Sequence, residues 1–152
     1  MSRHPSRRQL LATAGSAWLL LQARPAAAVS ATETLQQVVR NWAAGRPVTE
    51  GRVVLEVQPL VENGNAVPIR VRIDSPMTPA DHVQEIVVFN ERNPQRDLVR
   101  AAFGPASGRA QLDTRIRLAT SQRLVALARL SDGSQWSANV DVVVTLAACI
   151  EA

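Results

Sequence analysis

Hydrophobic and polar positions along the chain follow two different periods. From Leu35 the apolar residues Leu35, Val38, Val39, Trp42 and Ala43 recur at helical spacing and form one stripe. Ser30 and Glu33 have the spacing of a capping box in front of that stripe. Gly45 and Pro47 close it. After residue 50 the period becomes two. Val67, Ile69, Val71 and Ile73 alternate with Pro68, Arg70 and Arg72, and Ala110, Leu112, Thr114, Ile116 and Leu118 alternate with Arg109, Gln111, Asp113, Arg115 and Arg117. Such alternation sets one strand face on a core and the other in water. Further strands are expected at 52–58, 83–90, 97–103, 122–130 and 135–146. Turn residues separate them, among them Asn63-Gly64-Asn65, Asp74-Ser75-Pro76, Asn93-Pro94, Gly104-Pro105 and Ser131-Asp132-Gly133. About seven short strands at regular spacing predict an all-β, two-sheet antiparallel sandwich preceded by one N-terminal helix. The run 122–130 is rich in Ala and Leu, but its length and flanking turns read as strand.

Charge divides the chain differently. The 152 residues carry 17 basic and 13 acidic side chains, a formal net charge of +4. Arg3, Arg7, Arg8 and Arg24 lie in the first 28 residues, which hold no acid; the other 13 arginines balance the 13 acids. The basic excess therefore belongs to the N-terminal segment, and charge gives no reason to expect nucleic acid or a membrane surface as a partner. Within that segment Ser6-Arg7-Arg8-Gln9-Leu10-Leu11 precedes an apolar run, and Ala26-Ala27-Ala28 offers a cleavage site. This order favours a Tat-type signal peptide over 1–28, ahead of an ordinary Sec signal or an uncleaved anchor. The expected divisions are then a helix and linker over 29–48, a sandwich over 49–146, and an arm over 147–152. The expected compartment is the periplasm, with no membrane contact once the signal is removed.

Few groups are left for chemistry. There is no lysine, which removes Schiff-base chemistry and a lysine-bearing phosphate loop. His4 and His82 are the only histidines and Cys149 the only cysteine, so no metal-ligand cluster can be drawn and no cofactor is expected. Ser75, His82 and Asp81 could be drawn as a triad, but no Gly-x-Ser-x-Gly turn accompanies them. The plainer reading of His82 is a partly exposed residue at the start of a strand. Arg109, Arg115 and Arg117 share one strand face, which reads as a solvated face rather than an anion site. Trp136 reads as core. Cys149 is the informative residue. It has no intramolecular partner, and only Ile150, Glu151 and Ala152 follow it. A thiol on such an arm either carries something covalently or forms an intermolecular disulfide.

An ordered set of short motifs resembles the SoxY subunit of the periplasmic thiosulfate-oxidising (Sox) system. The set comprises Glu62-Asn63-Gly64-Asn65 with Val67-Pro68, Asp74-Ser75-Pro76-Met77, Asn93-Pro94, Phe103, Gly108-Arg109-Ala110 and Thr114-Arg115-Ile116-Arg117-Leu118-Ala119. It continues through Ser121-Gln122, Asp132-Gly133, Trp136 and Val144-Thr145 to Cys149. The resemblance implies an immunoglobulin-like sandwich paired with a SoxZ-like subunit, and a C-terminal cysteine that carries the pathway intermediate. A c-type cytochrome would load the cysteine, a hydrolase would release sulfate from it, and a sulfane dehydrogenase would oxidise what remains. The carrier would be no enzyme itself.

The arm departs from the family ending Gly-Gly-Cys-Gly-Gly: here it reads Ala147-Ala148-Cys149-Ile150-Glu151-Ala152. Alanine narrows the backbone ensemble, and Ile150 is β-branched and stiff. Glu151 and the terminal carboxylate are expected to disfavour the thiolate and repel an anionic substrate. A pocket built for glycine is expected to reject this tail by clash. Two readings follow: a divergent carrier with differently shaped partner pockets, or a paralogue kept as a partner-binding, structural subunit.

Overall fold

The computed structural model describes residues 33–146. The expected signal over 1–28, Ser30 and the arm over 147–152 lie outside the described residues.

Helix α1 spans Leu35–Ala43. Its capping box is built on Thr34 and Gln37, not on Ser30 and Glu33 as expected. The Thr34 hydroxyl accepts from the Gln37 N–H at 3.3 Å, and Gln37 Oε1 accepts from the Thr34 N–H at 2.8 Å. The helix therefore starts where its apolar stripe starts. It ends at Ala44, whose left-handed backbone (φ 51°) lets its N–H return to the carbonyls of Arg40 and Asn41.

Nine strands follow: β1 (Val48–Glu50), β2 (Val53–Glu56), β3 (Leu60–Asn63), β4 (Val67–Ile73), β5 (Val83–Asn90), β6 (Asp97–Ala102), β7 (Gln111–Ile116), β8 (Gln122–Leu130) and β9 (Gln135–Leu146). All seven expected strands are present. The two additional ones, β1 and β3, are too short to show an alternation, and both run parallel to β9. The larger sheet has the order β1-β9-β8-β5-β6, with β3 also against β9, and the smaller has the order β2-β4-β7. The remaining pairings are antiparallel, so the fold is the expected sandwich with one N-terminal helix. The chain passes from β1 in the larger sheet to β2 in the smaller through Gly51 (φ 121°) and Arg52 (φ 52°). The first of these positions suits glycine, and a Cβ there would also touch the Trp136 ring at 3.6 Å.

Three layers result. Val67, Ile69, Val71 and Ile73 of β4 meet Ile86, Val88, Leu124, Ala126, Ala128 and Leu130 of the larger sheet in the main core. The other face of the larger sheet presents Val87, Phe89 and Leu127 to Val38, Trp42 and Ala43 of α1. This second burial removes the alternation from β5 and β8, which read as nearly continuous apolar runs. Each such side chain, fully buried, contributes about 1.5–3 kcal/mol relative to exposure. Helix and sheet are also tied by polar groups. The Trp42 indole N–H donates to Glu85 at 3.1 Å, and the Arg129 guanidinium lies 4.8 Å over the Trp42 ring.

Candidate functional site

The site expected from sequence lies just past β9. Cys149 and its neighbours Ala147, Ala148, Ile150 and Glu151 are outside the described residues; the strand that precedes them, β9, is held by β8 and then by β3. β9 is paired with β8 from Gln135 to Val142. Where β8 ends, β3 takes over on the opposite edge, with Leu60, Val61 and Asn63 opposite Val143, Val144 and Leu146. Further bonds close the end. The Gly64 N–H donates to the Leu146 carbonyl at 2.8 Å, the Val144 N–H to Ser121 Oγ at 2.9 Å, and the Thr145 hydroxyl to the Glu62 carbonyl at 3.2 Å. The Glu62-Asn63-Gly64-Asn65 turn thus fixes the backbone as far as Leu146. Cys149 stands three positions beyond Leu146 in the sequence, a span of at most roughly 10 Å.

The surface at this end is apolar. Leu60 is 58%, Val143 52% and Leu146 68% exposed, and with Val54 they are the large exposed hydrophobic side chains among the described residues. Sequence reasoning passed over Leu60 and Val143. Leu60 lies in a strand too short to show a period, and Val143 sits within a run of three valines. A second feature also escaped it: an open groove of about 700 Å³ between α1 and the larger sheet. Leu35, Val39, Val48 and Val125 line it together with Arg40, Arg92, Arg96 and Arg123.

The other candidates do not assemble. Ser75 Oγ accepts from the Met77 N–H at 3.3 Å and donates to the Asp81 carbonyl. His82 Nδ1 lies 3.1 Å from the Thr78 carbonyl, and the Asp81 carboxylate faces Arg52 at 3.5 Å. The three side chains serve a turn, and the triad is not formed. On the outer face of the smaller sheet, Asp113 pairs with Arg70 at 2.5 Å and Glu56 with Arg72 at 2.6 Å. Hydrogen bonds from Gln111 and Arg70 hold the Asp113 carboxyl below its ordinary pKa. Among the described residues, Arg109, Arg115 and Arg117 join no ion pair within 4.0 Å. Trp136 is half-buried against the main core, its indole N–H donating to Ser134 Oγ at 3.0 Å and Arg52 stacked 5.6 Å away. Among the described residues, no group of three His, Cys, Asp or Glu side chains could hold a metal ion, and no helix is long and apolar enough to cross a membrane.

Comparison with solved structures finds the same fold in superoxide reductases. The enzyme (neelaredoxin) from Ignicoccus hospitalis is 19% identical, with a TM-score of 0.56 over 62% of this chain and 80% of its own. That from Nanoarchaeum equitans is 12% identical, with a TM-score of 0.54 over 63% of this chain and 100% of its own. At such identity the likeness is one of fold alone. A search of curated protein sequences finds no match. The family model for sulfur oxidation protein SoxY matches residues 39–149, which run from the middle of α1 through every strand to the cysteine. The chain belongs to the SoxY family.

Proposed function

We propose that this chain is a periplasmic covalent carrier of sulfur intermediates in thiosulfate and sulfur oxidation, loaded on the thiol of Cys149. Membership of the SoxY family gives it a role in sulfur oxidation by the Sox system. The observation that supports the carrier role is positional: the family match ends on Cys149, the only cysteine of the chain, three residues beyond the last hydrogen-bonded residue of β9.

A carrier needs a fixed body and a short, reachable nucleophile. The pairing of β9 with β8 and β3 supplies the first, and the tether from Leu146 the second. Loading joins the Cys149 thiolate to the outer sulfur of thiosulfate. One S–S bond forms and two electrons leave to a c-type cytochrome partner, giving a cysteine S-thiosulfonate. Hydrolysis of its sulfur–sulfonate bond by a partner hydrolase takes up one water, releases sulfate and a proton, and leaves a persulfide for a sulfane dehydrogenase. Once the S–S bond to Cys149 has formed, the later steps act on atoms beyond the cysteine sulfur, in the pockets of the partner enzymes. A SoxZ-like subunit would complete the carrier, and a Tat-type signal over 1–28 would export it.

The altered arm favours a second reading, a partner-binding subunit without the carrier cycle. One substitution separates them. In cells dependent on thiosulfate oxidation, Cys149→Ser abolishes oxidation if the chain is a carrier. It leaves oxidation intact, while deletion of the whole chain does not, if the role is structural.

A further inference from the structure

We propose that the groove between α1 and the outer face of the larger sheet is a binding site for a small aliphatic oxyanion, a carboxylate or sulfonate on an apolar body, held by Arg40, Arg92 and Arg96 over an aliphatic floor. The floor exists because the apolar stripe of α1 is wider than the contact it makes. Val38, Trp42 and Ala43 are buried on Val87, Phe89 and Leu127. Leu35 and Val39, one turn apart on the same stripe, are only partly buried, as are Val48 of β1 and Val125 of β8. Among the described residues, these four are the partly buried hydrophobic side chains packed on the second core, and all four line the groove. The second core therefore has one open edge, and the groove is that edge. An aliphatic body laid along it removes the floor from water.

The charged side chains that line this edge do not balance. They are four arginines and one acid, Glu91. Arg123 is committed, donating to the Asp141 carboxylate through two bonds of 2.8 and 2.9 Å. Arg96 donates to the backbone carbonyls of Glu33 and Glu91, neutral groups that leave its charge uncompensated. Arg92 approaches the Glu91 carboxylate no closer than 4.0 Å, and that carboxylate also accepts from the Arg123 N–H at 3.3 Å. Arg40 joins no ion pair within 4.0 Å among the described residues. Among the lining side chains, three arginines thus stand against one carboxylate beside an apolar surface.

The combination selects the ligand. A bare inorganic anion would leave the aliphatic floor wet, and an uncharged hydrocarbon would leave the guanidiniums without a partner. Guanidinium groups take oxyanions through paired N–H donors. The groove's volume of about 700 Å³ is that of a small-molecule site. A protein partner in a stable complex would need about 800 Å² of surface on each side.

The test is an NMR titration of the isotope-labelled chain from Val29 onward, which holds every described element. The probes are sodium octanoate and sodium octanesulfonate, both below micelle formation. Either probe should move the amide signals of Val39, Val48 and Val125, with a dissociation constant on the order of 0.1–1 mM. Binding of either head group supports the proposal, and the tighter of the two names it. Hexanoate should bind more weakly than octanoate, by up to about fourfold per methylene lost. Arg40→Ala and Arg92→Ala should each weaken binding about two- to fivefold, the scale of one exposed ion pair. Val125→Thr keeps the shape of the floor, places a hydroxyl in it, and should weaken binding about threefold. Cys149→Ser should bind like the wild type, so the site stands or falls apart from the carrier reading. The same shifts with octyltrimethylammonium, or binding indifferent to Arg40 and Arg92, would overturn the proposal. Shifts only with phosphatidylglycerol vesicles would overturn it in favour of a lipid surface. No shift up to about 10 mM of either probe would overturn it and leave the groove to a protein partner.

Discussion

Gln122 donates from Nε2 to Oδ1 of Asn93 at 2.8 Å, and both side chains are buried. Asn93 Oδ1 also accepts from the Ala119 N–H, its Nδ2 donates to the Arg117 carbonyl, and Gln122 Oε1 accepts from the Arg92 N–H. One amide pair therefore ties the loop after β5 to the connection between β7 and β8. A buried polar group is stabilising only while its partners are present. Asn93→Ala orphans several of them at once and should cost about 1–3 kcal/mol in urea unfolding. Asn93→Asp, which keeps the acceptor and loses the donor to the Arg117 carbonyl, should be destabilising as well.

Trp42 joins α1 to the sheet through packing on Val87, Phe89 and Leu127 and through its indole bond to Glu85. Trp42→Ala should cost about 3–5 kcal/mol. Trp42→Phe should lose less, because it keeps most of the apolar contact and drops only the N–H and the wider ring under Arg129. Thermal unfolding of the two variants separates packing from hydrogen bonding.

Gly51 joins the two sheets at φ 121°, with the Trp136 ring 3.6 Å from where a Cβ would stand. Space exists for a methyl group, so the cost of Gly51→Ala should come from the backbone and exceed about 1 kcal/mol. A Gly104→Ala control, at a position with nothing within 4 Å and no left-handed φ, should be close to neutral.

Three exposed carboxylates titrate low in the folded chain. Asp113 is held down by hydrogen bonds from Gln111 and Arg70, Asp132 by Ser134, and Asp141 by Arg123. A carboxyl whose folded pKa lies below its unfolded value near 3.8 adds stability above that value and loses it as the pH falls through the folded one. Stability should therefore drop as the pH is lowered below about 4. Asp141→Asn should make that acid limb shallower, as read from urea midpoints at successive pH values. A limb unchanged in the variant would contradict the assignment.

Much of this architecture is legible in the sequence because one face of each strand is wet. β4 shows it best: Val67, Ile69, Val71 and Ile73 are buried, and Pro68, Arg70 and Arg72 are exposed. The pattern weakens where α1 buries the second face, so β5 and β8 were recognisable by their bounding turns rather than by period. β1 and β3 were not legible, since three or four residues fix no period and their parallel pairing to β9 is decided by sheet switching. The Ser30 and Glu33 spacing satisfied the capping rule one turn too early, because Thr34 and Gln37 satisfy it as well and sit nearer the apolar stripe. At the site, the cysteine could be found by elimination. The apolar pair Leu60 and Val143 could not, since only the parallel register makes them neighbours.

The most direct test of the central claim is the mass of the chain recovered from cells oxidising thiosulfate. Carriage on Cys149 predicts mass additions of sulfur and of sulfur with sulfonate on the peptide that contains it, removed by reductant and absent from Cys149→Ser. An unmodified Cys149 under active turnover would contradict the account.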